Sequence, residues 1–508
     1  MGTHSKKIKF NMISVVLCQI VTIAISFILP RLYIENFGSE VNGVLSTVKQ
    51  IFSYLCLLEA GVGLATSQAL LRPVATKSRG EINGILAATK QHYIKVGLVY
   101  GAAVLLIAAV YGFAVDTGLD PFTVIALVLL NGVPSLITFF IEGKYCILME
   151  TDGRQYIINN SQTVLQVVSG LAKVAVLILT DDLLLMQSTY CLIAVMQLLY
   201  ITAYAKKRYS WLDFGVKPNT AAISQKNSVI VHQISAMVFN NTDILLLSAL
   251  ADFGTASVYY IYNLFFSQVE TFINNLVKGF NFALGQLFSV NREEFLKKYR
   301  VYETLYTCAN FIVYTAMNTF LLAVIEIYTG GINDAEYINP LLILLFSASK
   351  LISCAKLPAN QVIEYSGDFK KTRWHAIVEM AINLSFTVIG IKLFGICGAL
   401  AGTVAAIVFR NIVTLIYTNR KIFHRSAAGS FALLFVNGAV FAGIYLIFGT
   451  AHFCGMKFLT LCLHGVLNML WIVPLYIAAN AILRPDVFKT LFKLLKGKIR
   501  KNETEHSK

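Results

Sequence analysis

The chain has 508 residues and a formal net charge of +15, yet only 14% of its residues are charged and 56% are hydrophobic. With a mean hydropathy of +0.66, this composition excludes an ordinary soluble protein, in which about 25% of residues are charged. Apolar runs of about 20–28 residues recur along the whole chain, and each is long enough to cross a bilayer. The sequence therefore predicts an all-α, multi-pass membrane protein.

The apolar runs define fourteen predicted transmembrane helices, numbered here as spans 1 to 14. The first run is long and has no small-residue cleavage site, so we interpret it as a retained span and not as a signal peptide. The predicted spans cover residues 8–33, 44–71, 90–115, 121–145, 156–180, 183–205, 226–250, 256–288, 300–328, 339–363, 373–393, 396–418, 428–449 and 458–483.

The basic residues fall on one side of this predicted topology. When alternate loops are assigned to opposite sides, the side that contains both termini holds 32 of the 42 lysines and arginines, and the opposite loops are mainly acidic. Because Lys and Arg are enriched in cytoplasmic loops, we expect both termini to be cytoplasmic. The positive net charge is thus a sign of topology, and it does not indicate a nucleic-acid partner.

A weak internal repeat relates two halves of the chain at an offset of about 217 residues; for example, residues 36–39 align with 252–255. Six spans fit in each half, so both halves have the same orientation and a pseudo-twofold axis along the membrane normal. Such repeats are typical of secondary transporters, which bind substrate between the halves. The predicted units are an N-lobe (1–215), a C-lobe (216–425), spans 13 and 14 (426–484) and a basic amphipathic cytoplasmic tail (485–508).

Polar side chains form stripes along several predicted spans when successive residues are rotated by about 100°. Such stripes at matching positions in the two halves predict a hydrated lumen. The alternative is that Ser, Thr and Asn form hydrogen bonds across helix interfaces, and that His232 is a packed histidine. The selected stripe residues are Lys49, Gln50 and Ser53 in span 2, Ser228 and His232 in span 7, and Asn263, Thr271, Asn274, Lys278 and Asn281 in span 8.

Other charged residues within the spans invite separate interpretations. Asp243, Glu270 and Glu379 are candidates for coupling transport to an ion gradient, because a buried carboxylate in a span is costly without a role or a partner. Span 5 carries a further stripe that ends at Lys173. Arg410 lies near the end of span 12, and we expect its side chain to reach the membrane interface.

The sequence lacks the motifs of several enzyme classes. It contains no phosphate-binding P-loop, no H-E-x-x-H pair and no C-x-x-C pair, so we expect no nucleotide, metal or other cofactor. The longest connection, about 20 residues around 206–226, is too short for a soluble catalytic domain. These features favour transport over catalysis.

Four segments near the N-terminus resemble the start of bacterial polysaccharide (O-antigen/capsule-type) flippases of the multidrug/oligosaccharidyl-lipid/polysaccharide exporter superfamily. The segments are LPR at 29–31, FGSEVNG at 37–43, LEAGVGLA at 58–65 and LRPVA at 71–75. The close likeness covers about the first 100 residues. It implies two six-helix lobes around a cavity lined by spans 1, 2, 7 and 8, alternating access, and a location in the bacterial cytoplasmic membrane.

The resemblance also implies a cargo, an undecaprenyl-diphosphate-linked oligosaccharide moved from the cytoplasmic to the outer leaflet. The cationic lumen residues of that family map onto Lys49 and Lys278, with Arg31 at the outer end of span 1. Membrane lipids, and the glycan polymerase and glycosyltransferases of the same pathway, are the implied partners. Lipid II flippases, a sister group, have deeper arginines in spans 1, 2 and 8 that this chain lacks.

Three alternative functions stay open at this stage. A multidrug or cation exporter of the same superfamily would depend on acidic lumen residues, although span 1 has no acid here. A membrane enzyme that polymerises or ligates lipid-linked glycans would need essential acids or arginines in the outer loops. A lipid-binding scaffold without transport is the third.

Overall fold

The computed structural model describes the backbone of residues 2–55, 62–63, 65–67, 69–70, 73–74, 76–115, 118–152, 154–220, 227–450 and 453–489. It describes the side chains of the same residues except 2–22, 155–156, 227–234, 236, 240, 275–283, 286, 289–290 and 369–370. All regular elements in this part of the chain are helices, which confirms the predicted all-α class.

Fourteen α-helices carry the described fold, and two short π-helical turns interrupt or extend them at Thr138–Glu142 and Tyr417–Ile422. The α-helices are α1 (Gly2–Leu55), α2 (Arg79–Phe113), α3 (Pro121–Ile137), α4 (Gly143–Thr151), α5 (Gln155–Thr180), α6 (Leu183–Arg208), α7 (Asn227–Leu250), α8 (Phe253–Val290), α9 (Arg292–Tyr328), α10 (Pro340–Ser353), α11 (Lys356–Ser366), α12 (Phe369–Ile416), α13 (Ala428–Phe448) and α14 (Phe458–Leu483).

Two of these long helices each contain two predicted spans joined at a glycine. Gly38 in α1 has φ 85° and ψ 168°, and Gly395 in α12 has φ 58° and ψ −137°. A residue with a Cβ atom rarely adopts either conformation, so glycine is the residue that allows the chain to change direction there. The two parts of α1 therefore correspond to span 1 and to the first part of span 2, and the two parts of α12 correspond to spans 11 and 12.

Nine segments within the described residues are long and apolar enough to cross a membrane. Their most exposed side chains are large and apolar, as a lipid-facing surface requires; examples are Leu179 (80% exposed), Leu446 (83%) and Ile482 (83%). The chain is thus a multi-pass membrane protein. The predicted number of fourteen spans is consistent with this helix count but is not established by it.

Acidic and amide side chains at the starts of helices act as N-caps. Asp120 accepts hydrogen bonds from Thr123, and these hold the pKa of the Asp120 carboxyl below its usual range. Asp182 accepts from the backbone N–H groups of Leu184 and Leu185 at 2.8 and 2.9 Å. Several acids of the loops predicted to lie outside the cell are therefore needed for helix initiation.

The chain divides into two compact units, Met1–Leu264 and Phe265–Lys508. In the first unit, α1 packs on α5 and α7, and α2 packs on α3. Its close contacts depend on glycine, since a Cβ atom on Gly43 would lie 2.6 Å from the carbonyl carbon of Phe253. The predicted lobes at 1–215 and 216–425 remain a prediction.

In the second unit, α9 packs on α10, α13 and α14, and α10 packs on α12. The two parts of α12 form a tight hairpin, in which a Cβ atom on Gly390 would lie 2.6 Å from the carbonyl carbon of Gly398. Gly402 is similarly close to the backbone of Thr387. Gly398 and Gly402 therefore form the small-residue face that allows these helices to touch.

Candidate functional site

The part of α1 that follows Gly38 carries an exposed lysine among polar neighbours. Lys49 is exposed, and no ion pair to it occurs among the residues that the structure describes. Ser53, one turn further on, donates to the carbonyl oxygen of Lys49 at 3.1 Å. Gln50 donates a short hydrogen bond to Asn241 of α7, so this predicted stripe residue also connects two helices.

A second lysine of the first unit lies near Lys49. Lys173 of α5 places its Nζ 4.1 Å from the ring centroid of Tyr190 in α6, a cation–π contact. The positive charge of Lys49 acts electrostatically on both Lys173 and Tyr190. The charges of two lysines from different helices therefore influence one another, and neither lysine forms an ion pair with a described carboxylate.

The surface of α5 that leads to Lys173 is polar and exposed. Asn159, Gln162 and Gln166 are all exposed, and they are spaced so that they share one face of the helix. Amide side chains are unfavourable against lipid, and they are favourable against water or a polar cargo. The first unit therefore presents a row of exposed amides along α5, which leads to Lys173.

Buried hydrogen bonds fix α1 against its neighbours in the first unit. Asn42 donates to the hydroxyl of Ser257 at 2.7 Å, and Tyr54 forms a short hydrogen bond with Thr242. Asp243 is buried and accepts from the hydroxyl of Tyr259 at 2.7 Å. Asp243, an ion-coupling candidate, thus has a hydrogen-bonded partner, and its proposed role stays a prediction.

The predicted residues of α8 in the second unit are in two different environments. Glu270 forms an ion pair with Lys350 of α10 at 2.5 Å. Thr271 is exposed, and the Oδ1 atom of Asn274 accepts from Tyr306 at 3.4 Å. The ion pair neutralises Glu270, the second ion-coupling candidate.

Glu379 is the third ion-coupling candidate, and it lies between two cations. Its carboxylate is 2.9 Å from Lys356 and 3.7 Å from Arg410. Glu379 is 8% exposed and Arg410 is 5% exposed. The expectation that Arg410 reaches the membrane interface is therefore wrong, because its guanidinium is held inside the helix packing by Glu379.

Of the remaining predicted site residues, the structure describes the side chains of only some. Arg31 is paired with Glu35 of the next turn at 2.5 Å, so its charge is largely neutralised. Asn263 is half-buried. The side chains of Ser228, His232, Lys278 and Asn281 lie outside the described residues. The electrostatic interaction of Lys49 with Lys173 was not predicted, although the stripe of span 5 included Lys173.

Within the described ranges, no group of three or more His, Cys, Asp or Glu side chains has a geometry that could hold a metal ion. The cysteines described there are free thiols. The chemistry of the site is consequently that of lysine ammonium groups, amides and hydroxyls, which can bind anions and sugars.

No family model matches the chain. No curated protein matches it. Solved structures do match, and the comparisons below are therefore comparisons of fold.

One similar structure is a multidrug resistance MATE family transporter of the MOP superfamily in an inward-facing conformation. It has a TM-score of 0.59 and 14% identity, and the match covers 80% of this chain and 98% of that one. Another is the lipid II flippase MurJ in an inward closed conformation, with a TM-score of 0.60, 14% identity and coverage of 93% and 100%. A third is a MOP superfamily transporter from Pyrococcus furiosus described by the reverse polarity of its binding pocket, with a TM-score of 0.52, 14% identity and coverage of 80% and 94%.

These similarities define the class of fold. The chain has the fold of MOP superfamily transporters, a group that includes both MATE exporters and a lipid flippase. The predicted superfamily is thereby supported at the level of fold.

Proposed function

We propose that the protein is a flippase that moves undecaprenyl-diphosphate-linked oligosaccharide units from the cytoplasmic to the outer leaflet of a bacterial inner membrane by alternating access. The observation that carries the proposal is the exposed Lys49, which has no described ion pair, together with the exposed amides of α5 that lead to Lys173. An isolated anion in a low-dielectric medium is destabilised by tens of kcal/mol. Two lysines and a row of amides replace the hydration that a diphosphate and its sugars lose.

The sign of the charge favours this cargo over an organic cation. A cation exporter needs carboxylates that face its cargo, and the three ion-coupling candidates Asp243, Glu270 and Glu379 each have a described partner. Lys49, in contrast, is exposed and has no described carboxylate partner. The predicted charge of the binding surface is therefore positive, and a cation would be repelled.

The length of the chain also favours a flippase. The MATE match covers 80% of this chain, and the MurJ match covers 93%. The fold of this chain is thus similar to that of a lipid flippase over more of its length, and this supports a lipid-linked cargo here.

The proposal is tested by measuring what the purified full-length protein binds and moves. Native mass spectrometry with an undecaprenyl-diphosphate-linked oligosaccharide, undecaprenyl monophosphate and ethidium compares an anionic glycolipid, a carrier without sugar and an organic cation. We expect the diphosphate-linked oligosaccharide to bind most tightly. In proteoliposomes, its sugar should become accessible to external periodate faster than in protein-free vesicles.

Two results would contradict the proposal. Tight binding of ethidium with no binding of the glycolipid would favour a cation exporter. If the protein binds the glycolipid but the sugar does not become accessible to periodate faster, a scaffold or an enzyme is favoured. An enzyme would be recognised by a change in the mass of the glycolipid.

A further inference from the structure

Two lysines converge on one aromatic ring of the first unit, and the charge of a third lysine acts on one of them. Lys144 of α4 and Lys90 of α2 place their Nζ atoms 5.6 and 5.7 Å from the ring centroid of Phe214. The positive charges of Lys90 and of Lys206, at the end of α6, both act on Lys144. No described carboxylate forms an ion pair with any of the three.

Lys144 is the unusual member of this cluster, because it is buried and only 7% exposed. Its ammonium group donates to the carbonyl oxygens of Phe140 and Ile141, at 3.1 and 3.0 Å, in the π-helical turn. An ammonium group has three N–H donors, so one is left for a ligand. The buried Glu142 in the same turn accepts from Thr138 and Cys146 and forms no described ion pair with Lys144. A buried cation that has like-charged neighbours and no ion pair is costly unless an anion binds to it.

The loop that carries Phe214 is fixed in place by several contacts. Phe214 packs edge-on against Tyr145 with 5.7 Å between ring centroids, and the backbone N–H of Asn219 donates to the carbonyl of Gly84 at 2.9 Å. The hydroxyl of Tyr209 donates to Asp152 at 2.7 Å, and Arg154 pairs with the same carboxylate. Asp152, which lies near this end of the unit, is thus already neutralised.

We infer that Lys90, Lys144 and Lys206 form a binding site for the phosphate group of a membrane lipid. Charge-assisted hydrogen bonds from ammonium groups to phosphate oxygens are stronger than neutral ones. By the distribution of basic residues, this end of the unit faces the cytoplasmic leaflet, where anionic headgroups concentrate. Anionic phospholipids and isoprenoid diphosphates both carry such a phosphate, and the site does not depend on the cargo proposed above.

The test compares Lys206→Gln with Lys207→Gln in the full-length protein. The two lysines are adjacent and both exposed, but only Lys206 acts on Lys144. Native mass spectrometry measures binding of dioctanoyl phosphatidylglycerol, farnesyl diphosphate and inorganic phosphate. We expect Lys206→Gln and Lys90→Gln each to weaken lipid binding about fivefold, the effect of one basic residue at a membrane surface, and Lys207→Gln to leave it unchanged.

The source of the phosphate follows from which lipid responds. A loss confined to phosphatidylglycerol assigns an anionic phospholipid, and a loss confined to farnesyl diphosphate assigns an isoprenoid carrier. Equal losses in Lys206→Gln and Lys207→Gln, or no loss in Lys90→Gln and Lys206→Gln, would overturn the site. Binding of inorganic phosphate but of neither lipid would overturn its assignment to a lipid.

Lys144→Met supplies a second, independent readout, because it keeps the side-chain length and removes the charge. A ligand that binds only the folded state raises its stability in proportion to the logarithm of its concentration over Kd. The lipid that binds the wild type should therefore raise its Tm and should have little effect on the Tm of Lys144→Met. An equal rise in both proteins contradicts the site even if the variant is less stable.

Discussion

Arg410 lies against Glu379, with 3.7 Å between Nε and Oε2, although the turn at Gly395 separates the two residues within α12. Lys356 of α11 approaches the same carboxylate at 2.9 Å. The Nε and Nη1 atoms of Arg410 are buried without a hydrogen-bond partner among the described residues. One carboxylate therefore holds two cations inside the membrane fold, and its removal leaves both of them uncompensated.

Glu379→Gln should destabilise the protein by about 3–5 kcal/mol, the usual cost of removing one partner from a buried ion pair. Thermal unfolding in detergent measures this loss of stability. Unfolding is detected by the reaction of a thiol-reactive fluorophore with Cys191, Cys308 and Cys354, which are buried in the folded protein. Glu364→Gln is the matched control, because Glu364 is exposed and has no described ion pair. We expect its Tm to stay close to that of the wild type.

The same variant separates a structural role of Glu379 from ion coupling. If Glu379→Gln has the Tm of the wild type and its transport no longer responds to a proton or sodium gradient, the structural explanation fails and the ion-coupling prediction gains support. If Tm falls strongly but transport by the protein that remains folded still responds to the gradient, Glu379 has a structural role and does not couple transport to an ion.

Glu303→Gln is expected to be destabilising for a related reason. Glu303 of α9 pairs with Arg484 at 2.8 Å, and each side chain is only 5% exposed. It also accepts from Ser430 at the start of α13, so it connects α9 to both C-terminal helices. We expect a loss of about 3–5 kcal/mol by the same buried-pair argument, measured by the same thermal assay.

The control for Glu303→Gln lies on the same helix. Glu294 pairs with Lys298 at 2.7 Å, but both side chains are about half exposed, and a surface pair contributes about 0–1 kcal/mol. Glu294→Gln should therefore have little effect on the Tm. Equal falls for the two variants would show that loss of charge on α9, and not the buried connection, is responsible.

Much of the helical architecture follows from the sequence, because run length and loop charge are local properties. Gly38 and Gly395 fall in the predicted connections between spans 1 and 2 and spans 11 and 12, and both have glycine conformations. The pairing of Glu379 with Arg410 was not predicted, since it depends on the register of two antiparallel helices. The sequence does contain a feature that could have predicted this register, because Glu379 and Arg410 lie at almost equal distances along the chain from Gly395.

The candidate site was predicted less completely. The stripe of span 2 was predicted from helical periodicity; Lys49 is exposed, and its place in a lumen stays a prediction. Periodicity within one helix cannot show that the charge of Lys49 acts on Lys173 of α5, because this interaction depends on how two helices pack. The same limit explains why the hydrogen bond between Gln50 and Asn241 was not expected.

Removing the charge of Lys49 should weaken binding of the diphosphate-linked cargo. Lys49→Met should reduce affinity about tenfold or more, since charge-assisted hydrogen bonds contribute about 1.5–3 kcal/mol each. Lys49→Arg keeps the charge and should retain most of the affinity. Lys173→Met should act in the same direction, because the charges of Lys173 and Lys49 act on one another.

Lys95→Met is the matched control for these lysine variants. Lys95 is also exposed and also lies within a membrane-spanning helix, α2, but it makes no described contact with Lys49 or Lys173. Binding by native mass spectrometry and flipping in proteoliposomes are measured for all four proteins. Normal binding by Lys49→Met, or an equal loss in Lys95→Met, would remove the lysine pair from the mechanism.

The glycine contact between the two parts of α12 predicts an unusual sensitivity to a single methyl group. A Cβ atom on Gly398 would lie within 2.8 Å of the Cα of Gly390 and closer still to its carbonyl, so the backbones would have to separate. Gly398→Ala should cost at least about 1–3 kcal/mol, the range for overpacking. The same change at Gly438 of α13 meets no atom within 4 Å and should stabilise its helix by about 0.4–1 kcal/mol. Thermal unfolding distinguishes the two: a Gly398→Ala protein as stable as Gly438→Ala would mean that the hairpin is not closed by this contact.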